Sequence, residues 1–273
     1  GYPRNQLCNH FKYKYVSAMK FSNWFRNAII EVAKSMFIVF IIGTAGSGKS
    51  LLTGAFANWL QLQKQNVIAV NLDPGVITLP YTPDIDIRDY VKIEQLMHDY
   101  QLGPNGALIM AADLIAEETE RLSDEIASFK PDIARIDTPG QMELFAFRQS
   151  GPYLANELTK EAKALIYLFD SIFSSNPQNY VSNLFLSAAA YNRFLVPQIY
   201  VLSKSDLLSR EETQRIVDWS ANPYALETAI EEKLDGSKRL LSRDTVRAIN
   251  RIGLKFLLLP VSARTNDGFT NLN

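Results

Sequence analysis

The chain has little sulfur, no excess of charge and no long apolar run, and each lack removes a class of function. Its single cysteine, Cys8, forbids an intramolecular disulfide and argues against a thiolate metal site, which fits a reducing cytosol and a cytoplasmic protein. With 28 basic residues against 29 acidic ones the net charge is −1, so no global field recruits nucleic acid or an anionic membrane. No apolar stretch approaches the roughly 18 residues that a membrane span needs. There is also no internal repeat and no low-complexity tract. A chain of 273 residues can bury a sizeable core, and one α/β domain, or such a domain with insertions, is the default expectation.

What the chain does have is the stretch Gly43-Thr44-Ala45-Gly46-Ser47-Gly48-Lys49-Ser50. It follows an unbroken apolar run, Met36 to Ile42, and precedes a helical pattern in which Leu51, Leu52, Ala55, Phe56 and Leu60 recur at spacings of three and four. Strand, glycine loop and helix in that order give the pattern GxxxxGK[ST] a mechanical meaning. The glycines let backbone N–H groups turn inward around phosphate oxygens, and the helix N-terminus adds its dipole. Gly43, Ala45, Gly46, Ser47, Gly48, Lys49 and Ser50 are therefore candidate phosphate-binding residues, with Lys49 on the outer phosphates and the Ser50 hydroxyl on Mg2+. The plainer alternative is a glycine-rich turn that only starts a helix.

Residues 1–35 differ from the rest. Arg4, Lys12, Lys14, Lys20, Arg26 and Lys34 stand against Glu31 alone, interleaved with Phe11, Tyr13, Tyr15, Phe21, Trp24 and Phe25. Such a segment suits RNA, a membrane surface or a partner protein. It equally suits a helix packed on the chain's own core, or an upstream extension outside the native product, since Met36 opens the first strand. Glu31 and Lys34 interrupt any apolar region, so a secretory signal is not expected.

Acids then recur at strand ends. A second strand, Asn66 to Leu72, runs into Asp73-Pro74-Gly75, where Asp73 is placed to meet Mg2+ through water or to orient a water, or else only to start a turn. A third, Asp132 to Ile136, runs into Asp137-Thr138-Pro139-Gly140-Gln141. There Asp137 can reach the metal shell, the Gly140 N–H can contact a γ-phosphate and Gln141 can hold a water in line, with Glu143 a lesser candidate in the same loop. A loop so built senses the γ-phosphate, which is the basis of a switch. Gln141 could also be a helix N-terminal residue without a role. A fourth strand, Ala164 to Phe169, ends at Asp170 and precedes a helix from about Pro177 to Arg193. A fifth, Gln198 to Leu202, delivers Ser203-Lys204-Ser205-Asp206. A carboxylate at Asp206 can accept two hydrogen bonds from the N1–H and 2-amino group of guanine while the Lys204 stem covers the base. The last strand, Phe256 to Pro260, ends at Ser262-Ala263, where a backbone N–H can meet guanine O6.

Between the second and third strands the periodicity predicts a helix over Asp86 to Tyr100, with Tyr90, Ile93, Leu96 and Met97 on one side, and another from about Asp113 to Phe129 with an acidic solvated face. Leu102-Gly103-Pro104-Asn105-Gly106 interrupts them and predicts a tight, rigid turn projecting Asn105. His98, Trp24, Trp59 and Trp219 are expected to be packing residues.

Four such loops at strand ends, in this order, look like the boxes of P-loop GTPases, and the Gly103-Pro104-Asn105 insertion resembles one family in particular, the GPN-loop GTPases. The resemblance covers Met36 to Asn273, so the chain is expected to comprise an extension, 1–35, and a GTPase domain, 36–273, with the insertion around 81–130. It implies a doubly wound, mainly parallel α/β sheet, three layers deep with helical insertions. It also implies slow Mg2+-dependent hydrolysis of GTP to GDP, and a homodimer in which one subunit's Asn105 loop reaches the other's nucleotide. The implied cellular role is a switch in assembling or transporting a large complex such as RNA polymerase. The family usually has Asn-Lys-x-Asp at the fourth box. Here Ser203 replaces the Asn, and its shorter hydroxyl is not expected to bridge guanine N7 and the phosphate loop. The chain stops at Asn273 where the family continues as a helix from Asp267 to Leu272, as a truncated chain would.

Other readings of the residues stand beside this one. A P-loop kinase or ATPase would use the same cradle, with an Arg-rich lid from Lys233, Lys238, Arg239, Arg243, Arg247 and Arg251, although these also suit a solvated helix. An RNA- or membrane-binding adaptor would act through residues 1–35. Arg148 lies close in sequence to Gln141 but suits the surface as well as an arginine finger.

Overall fold

The structure, a computed structural model of the chain, describes residues 36–252 and 256–273; the basic aromatic segment, Trp24 included, lies outside the described residues. Its frame is a seven-stranded sheet whose pairings are all parallel. In chain order the strands are β1 (Phe37–Gly43), β2 (Val67–Asn71), β3 (Ile85–Asp86), β4 (Ile133–Asp137), β5 (Ala162–Asp170), β6 (Gln198–Ser203) and β7 (Leu258–Pro260). In space they lie β3-β2-β4-β1-β5-β6-β7. From β1 the chain runs to one side as β2 and β3, returns as β4 beside β1, and then runs to the other side as β5, β6 and β7; the carboxyl end of the sheet opens where the strand order reverses, the usual ligand crevice of such sheets.

β1 shows why the sheet is buried on both faces. Ile38, Phe40 and Ile42 join one core cluster and Val39 and Ile41 the other, so an unbroken apolar run is what the position demands. The second cluster packs under α1 (Lys49–Leu62), through Leu52, Phe56 and Leu60, and under the short α12 (Phe269–Leu272). The first packs under the remaining longer helices: α3 (Pro104–Glu117), α4 (Thr119–Ser128), α6 (Ser150–Glu157), α8 (Pro177–Phe194), α9 (Arg210–Ala221), α10 (Pro223–Lys233) and α11 (Gly236–Ile252). Each fully buried Leu, Ile or Phe contributes roughly 1.5–3 kcal/mol, so two such clusters are enough to hold the sheet between its helices. Among the described residues no helix is long and apolar enough to cross a membrane.

The insertion differs from its expected form. Asp86 to Tyr100 is not one helix: β3 takes Ile85–Asp86, a 3₁₀ turn takes Ile87–Asp89, and only α2 (Ile93–Asp99) is α-helical. Asp86 is extended and its carboxylate accepts the Arg88 N–H at 3.0 Å, capping the 3₁₀ turn, and the backbone is extended again at Lys92 (φ −105°, ψ 113°), where α2 has its own N-cap. Tyr90, Ile93, Leu96 and Met97 still pack on the core. The expected turn at Gly103-Pro104-Asn105 is instead a helix start: Gly103 is the N-cap of α3 and Pro104 its first residue. Proline has no N–H to lose there and its φ suits the first turn. The helix expected over Asp113 to Phe129 is broken at Glu118 into α3 and α4. The last strand is shorter than expected, Leu258–Pro260. Trp59 stacks on Phe56 and Trp219 packs edge-on against Tyr180, but His98 is not a packing residue: its side chain is 89% exposed, 2.9 Å from Asp99.

Candidate nucleotide-binding site

The loop after β1 reverses in five residues before α1 begins, and two of its glycines are obligatory. Gly46 (φ 75°) and Gly48 (φ 92°), the N-cap of α1, lie in the left-handed region. Gly43 matters for closeness: a Cβ there would come within 2.7 Å of Ser47 Oγ and 3.1 Å of Leu168. No acidic residue occupies the first turn of α1, so its N-terminal N–H groups keep their dipole for an anion. Lys49 starts the helix, 5% exposed, and its ammonium donates to the carbonyls of Gly43, Thr44 and Gly140, each at 3.0 Å. Burial lowers its pKa, opposed by the negative charges of Asp137, Asp73 and Glu143. Ser47 is buried beside it, Ser50 is partly buried and Ala45 is exposed.

The acids of the second and third loops meet this lysine. The Gly140 N–H donates to Asp73 Oδ2 at 2.7 Å, while the Gly140 carbonyl takes the Lys49 ammonium. Asp73 Oδ1 accepts the Gly75 N–H at 3.0 Å, and the Asn71 side chain brackets Asp73 from both ends of its peptide. Asp137, at the end of β4, is wholly buried. Desolvation pushes its carboxyl up to about 6, against the pull of Ser50, Tyr81 and Lys49, with Asp73 reinforcing the rise. The Tyr81 hydroxyl donates to Asp137 Oδ2 at 3.0 Å. The other carboxylate oxygen, Oδ1, is buried with no hydrogen-bond partner among the described residues. Gln141 and Glu143 are exposed, Gln141 as N-cap of the short helix α5 (Met142–Phe145) and Glu143 in its first turn.

At the other end of the crevice the fourth and fifth loops are tied to the phosphate loop and to each other. The Ser203 hydroxyl donates to the Ser47 carbonyl at 2.7 Å, so serine reaches the phosphate loop after all; β6 delivers its end close enough that a short side chain suffices. The Lys204 ammonium donates to the Gly46 carbonyl at 2.7 Å and pairs with Asp170 at 2.6 Å. Asp206 is exposed, and its Oδ1 accepts the Ser262 hydroxyl at 2.7 Å. The Ser262 oxygen in turn accepts the N–H groups of Arg264 and Thr265, each at 3.2 Å, with Ala263 partly buried between. Gly103, Pro104 and Asn105 are exposed at the start of α3, and among the described residues the Asn105 side chain makes no hydrogen bond to the crevice. Arg148 pairs with Asp113 at 2.5 Å in an exposed ion pair, as suits a surface residue.

The structure adds residues that no motif marked. Tyr81 had no spacing to betray it. Arg135 did carry a signal, a charge inside an apolar strand: it is 1% exposed, gives its guanidinium to the carbonyls of Thr53 and Ile68, and has its pKa lowered to about 10 by burial.

A divalent ion fits the donors present. Ser50, Asp73 and Asp137 offer hard oxygens, and the buried, unpartnered Oδ1 of Asp137 is an acceptor in need of a cation. Mg2+ keeps waters and phosphate oxygens among its ligands, so few protein oxygens would have to be supplied.

A parallel sheet with a glycine loop between its central strand and a buried lysine at a helix N-terminus defines a P-loop nucleotide-binding protein. A family model described as "Conserved hypothetical ATP binding protein" matches residues 41–273. The chain is 34% identical over 238 residues to the GPN-loop GTPase PAB0955 of Pyrococcus abyssi, covering 86% of this chain and 94% of the relative. It is 29% identical over 247 residues to GPN-loop GTPase 1 of Saccharomyces cerevisiae, of which it spans 63%. The apo crystal structure of PAB0955, titled a GTPase, superposes with a TM-score of 0.76 over 87% of this chain and 94% of that one. The chain belongs to the GPN-loop GTPase family.

Proposed function

We propose that the chain binds GTP with Mg2+ and hydrolyses it slowly to GDP. The observation that carries the base choice is the Asp206–Ser262 bond, which joins the fourth and fifth loops and holds an exposed carboxylate two residues after Lys204, whose ammonium reaches the phosphate loop; guanine and not adenine offers such a carboxylate two donors. When bound, Mg2+ supplies charge neutralisation for the phosphates; Ser50, Asp73 and Asp137 would hold it, directly or through water. Lys49 exchanges its three carbonyl partners for phosphate oxygens, and the glycine N–H groups and helix N-terminus bind the rest. Asp73 holds the Gly140 N–H, the same group that a γ-phosphate can claim, so this contact is the element on which a switch would turn. Gln141, exposed at the N-cap of α5, is the candidate to orient water, with Glu143 beside it. Phosphoryl transfer asks mainly for placement and charge stabilisation, which this set provides.

The deciding experiment is phosphate release from GTP and from ATP with Mg2+, run beside Asp206→Asn. Turnover of GTP alone, with that preference lost in the variant, is the expected result. Equal use of ATP would move the P-loop ATPase or kinase reading ahead, a reading that agrees with the matching family's description as ATP binding. Against a kinase lid, Arg239, Arg243 and Arg247 of α11 pair with Glu231 and Glu227 of α10. The same proposal includes the finer expectations of the family resemblance: a homodimer, a cytoplasmic location, and a role in assembling or moving a large complex such as RNA polymerase. Sedimentation with and without GDP tests the dimer, and a sedimentation coefficient that stays monomeric throughout refutes it.

A further inference from the structure

Lys204 is a residue that has to be held. Its φ of 57° lies in the left-handed region that side chains with a Cβ rarely adopt, and it leads directly into the turn Ser205–Leu207 that carries Asp206. Three bonds keep it there. The Ser171 hydroxyl donates to the Lys204 carbonyl at 2.8 Å, and the Lys204 ammonium donates to the Gly46 carbonyl at 2.7 Å and to Asp170 Oδ2 at 2.6 Å. Two of these partners are consecutive residues at the end of β5, where the last rung of the ladder pairs Asp170 with Ser203. One residue earlier, the Phe169 carbonyl accepts the Ser203 hydroxyl at 3.2 Å. Phe169, Asp170 and Ser171 together form a backstop for the fourth-box loop.

Both oxygens of Asp170 are in use. Oδ1 caps the short helix α7 (Ser171–Ser174) by accepting the Phe173 N–H at 3.0 Å, and Oδ2 takes the ammonium. The Asp170 side chain is only 14% exposed against 33% for Lys204. A lysine head at a crevice rim prefers water, and a neutral carbonyl alone competes poorly for it; a fixed, largely buried carboxylate does not.

We propose that Asp170 is a positioning residue for base binding: it holds Lys204 across the gap between the fourth-box loop and the phosphate loop, so that the lysine stem forms the wall against which the purine lies. The inference rests on the guanine-nucleotide reading above. Asp170 lies outside all the recognised boxes; it caps α7 with one oxygen and acts on the base site through Lys204 with the other.

The test is equilibrium binding of GDP and of ADP, with Mg2+, to the full chain and to Asp170→Asn, Lys204→Met and the double variant. Asparagine keeps a capping oxygen for the Phe173 N–H and removes the charge, and thermal midpoints check that the fold is kept. Asp170→Ser, which caps with a smaller side chain, repeats the measurement if the Asn variant unfolds. Losing the ion pair should weaken GDP binding about tenfold in the parent background. In the Lys204→Met background the same change should cost less than about twofold, because residues acting as one unit do not add. GDP affinity within about twofold of the parent, or two losses that add in full, overturns the proposal. A parent chain that binds ADP as tightly as GDP sinks the guanine reading instead, and the cycle is then read with ADP by the same criteria.

Discussion

At Asp137 the cost of the site is visible in a single side chain. Its carboxyl is pushed up to about 6 by burial, from an unfolded value near 3.9, so between those values the folded chain binds more protons than the unfolded one. The stability linked to this group is therefore fully present below about pH 4 and is lost as pH rises through 6, a penalty of roughly 3 kcal/mol by pH 8. Asp137→Asn removes the titration. In buffer free of Mg2+ and nucleotide, the variant's advantage over the parent in urea unfolding should shrink by about 1 kcal/mol between pH 8 and pH 5, while its GTP turnover is lost. A gap that does not change with pH would mean that the buried carboxylate is already neutralised by its neighbours. Arg135, two residues earlier, is buried with only carbonyl partners for its guanidinium, and the same strand thus carries two desolvated charges into the base of the crevice.

Among elements, the contact of α1 with the segment leading into β3 decides how tightly Asp137 is gripped. Gly54 in α1 faces Tyr81 so closely that a Cβ would come within 2.8 Å of the Tyr81 Cβ and 3.3 Å of two ring atoms. Tyr81 Cβ is not the loose end of a side chain, so the segment itself must shift. Gly54→Ala should cost about 1–3 kcal/mol despite alanine's better helix propensity, and should lower the turnover rate as the Tyr81 hydroxyl moves off Asp137. Unfolding by urea and phosphate release measure the two effects; a variant as stable as the parent would show that the segment yields freely. Also at this scale, α3 begins at Pro104, and Gly75 of the second loop lies so near Leu108 of that helix that a Cβ would meet its Cδ2 at 2.6 Å. The Gly-Pro-Asn helix and the Asp73 loop are therefore packed as neighbours.

For the whole molecule, nucleotide binding should appear as stability. GDP with Mg2+ at one hundred times its dissociation constant adds about 2.7 kcal/mol, which in a chain of this size raises the thermal midpoint by about 5–10 °C. ADP at the same concentration should give much less, and chelating the Mg2+ should reduce the gain from GDP. Equal shifts with both nucleotides would contradict the assignment of Asp206 to the base.

Much of this molecule was legible in its residues because local chemistry demanded particular types. The apolar runs of β1, β4, β5 and β6 can only be strands buried on both faces, and Gly46, Gly48 and Lys49 are what a phosphate loop before a helix requires. The start of α3 was misjudged because Gly-Pro-Asn suits a turn and a helix N-terminus equally, and only packing of Ala107, Ala111 and Ile115 on the core selects the helix. Tyr81 on Asp137, Asp73 on Gly140, Ser203 on Ser47 and Asp170 on Lys204 join residues from 34 to 156 positions apart. No spacing encodes such pairs. The sequence by itself determined the phosphate loop with its flanking strand and helix and the acids at the strand ends; packing added β3 and the helix start at Pro104, and the strand order, which brings five loop ends to one edge of the sheet, decided which of them touch.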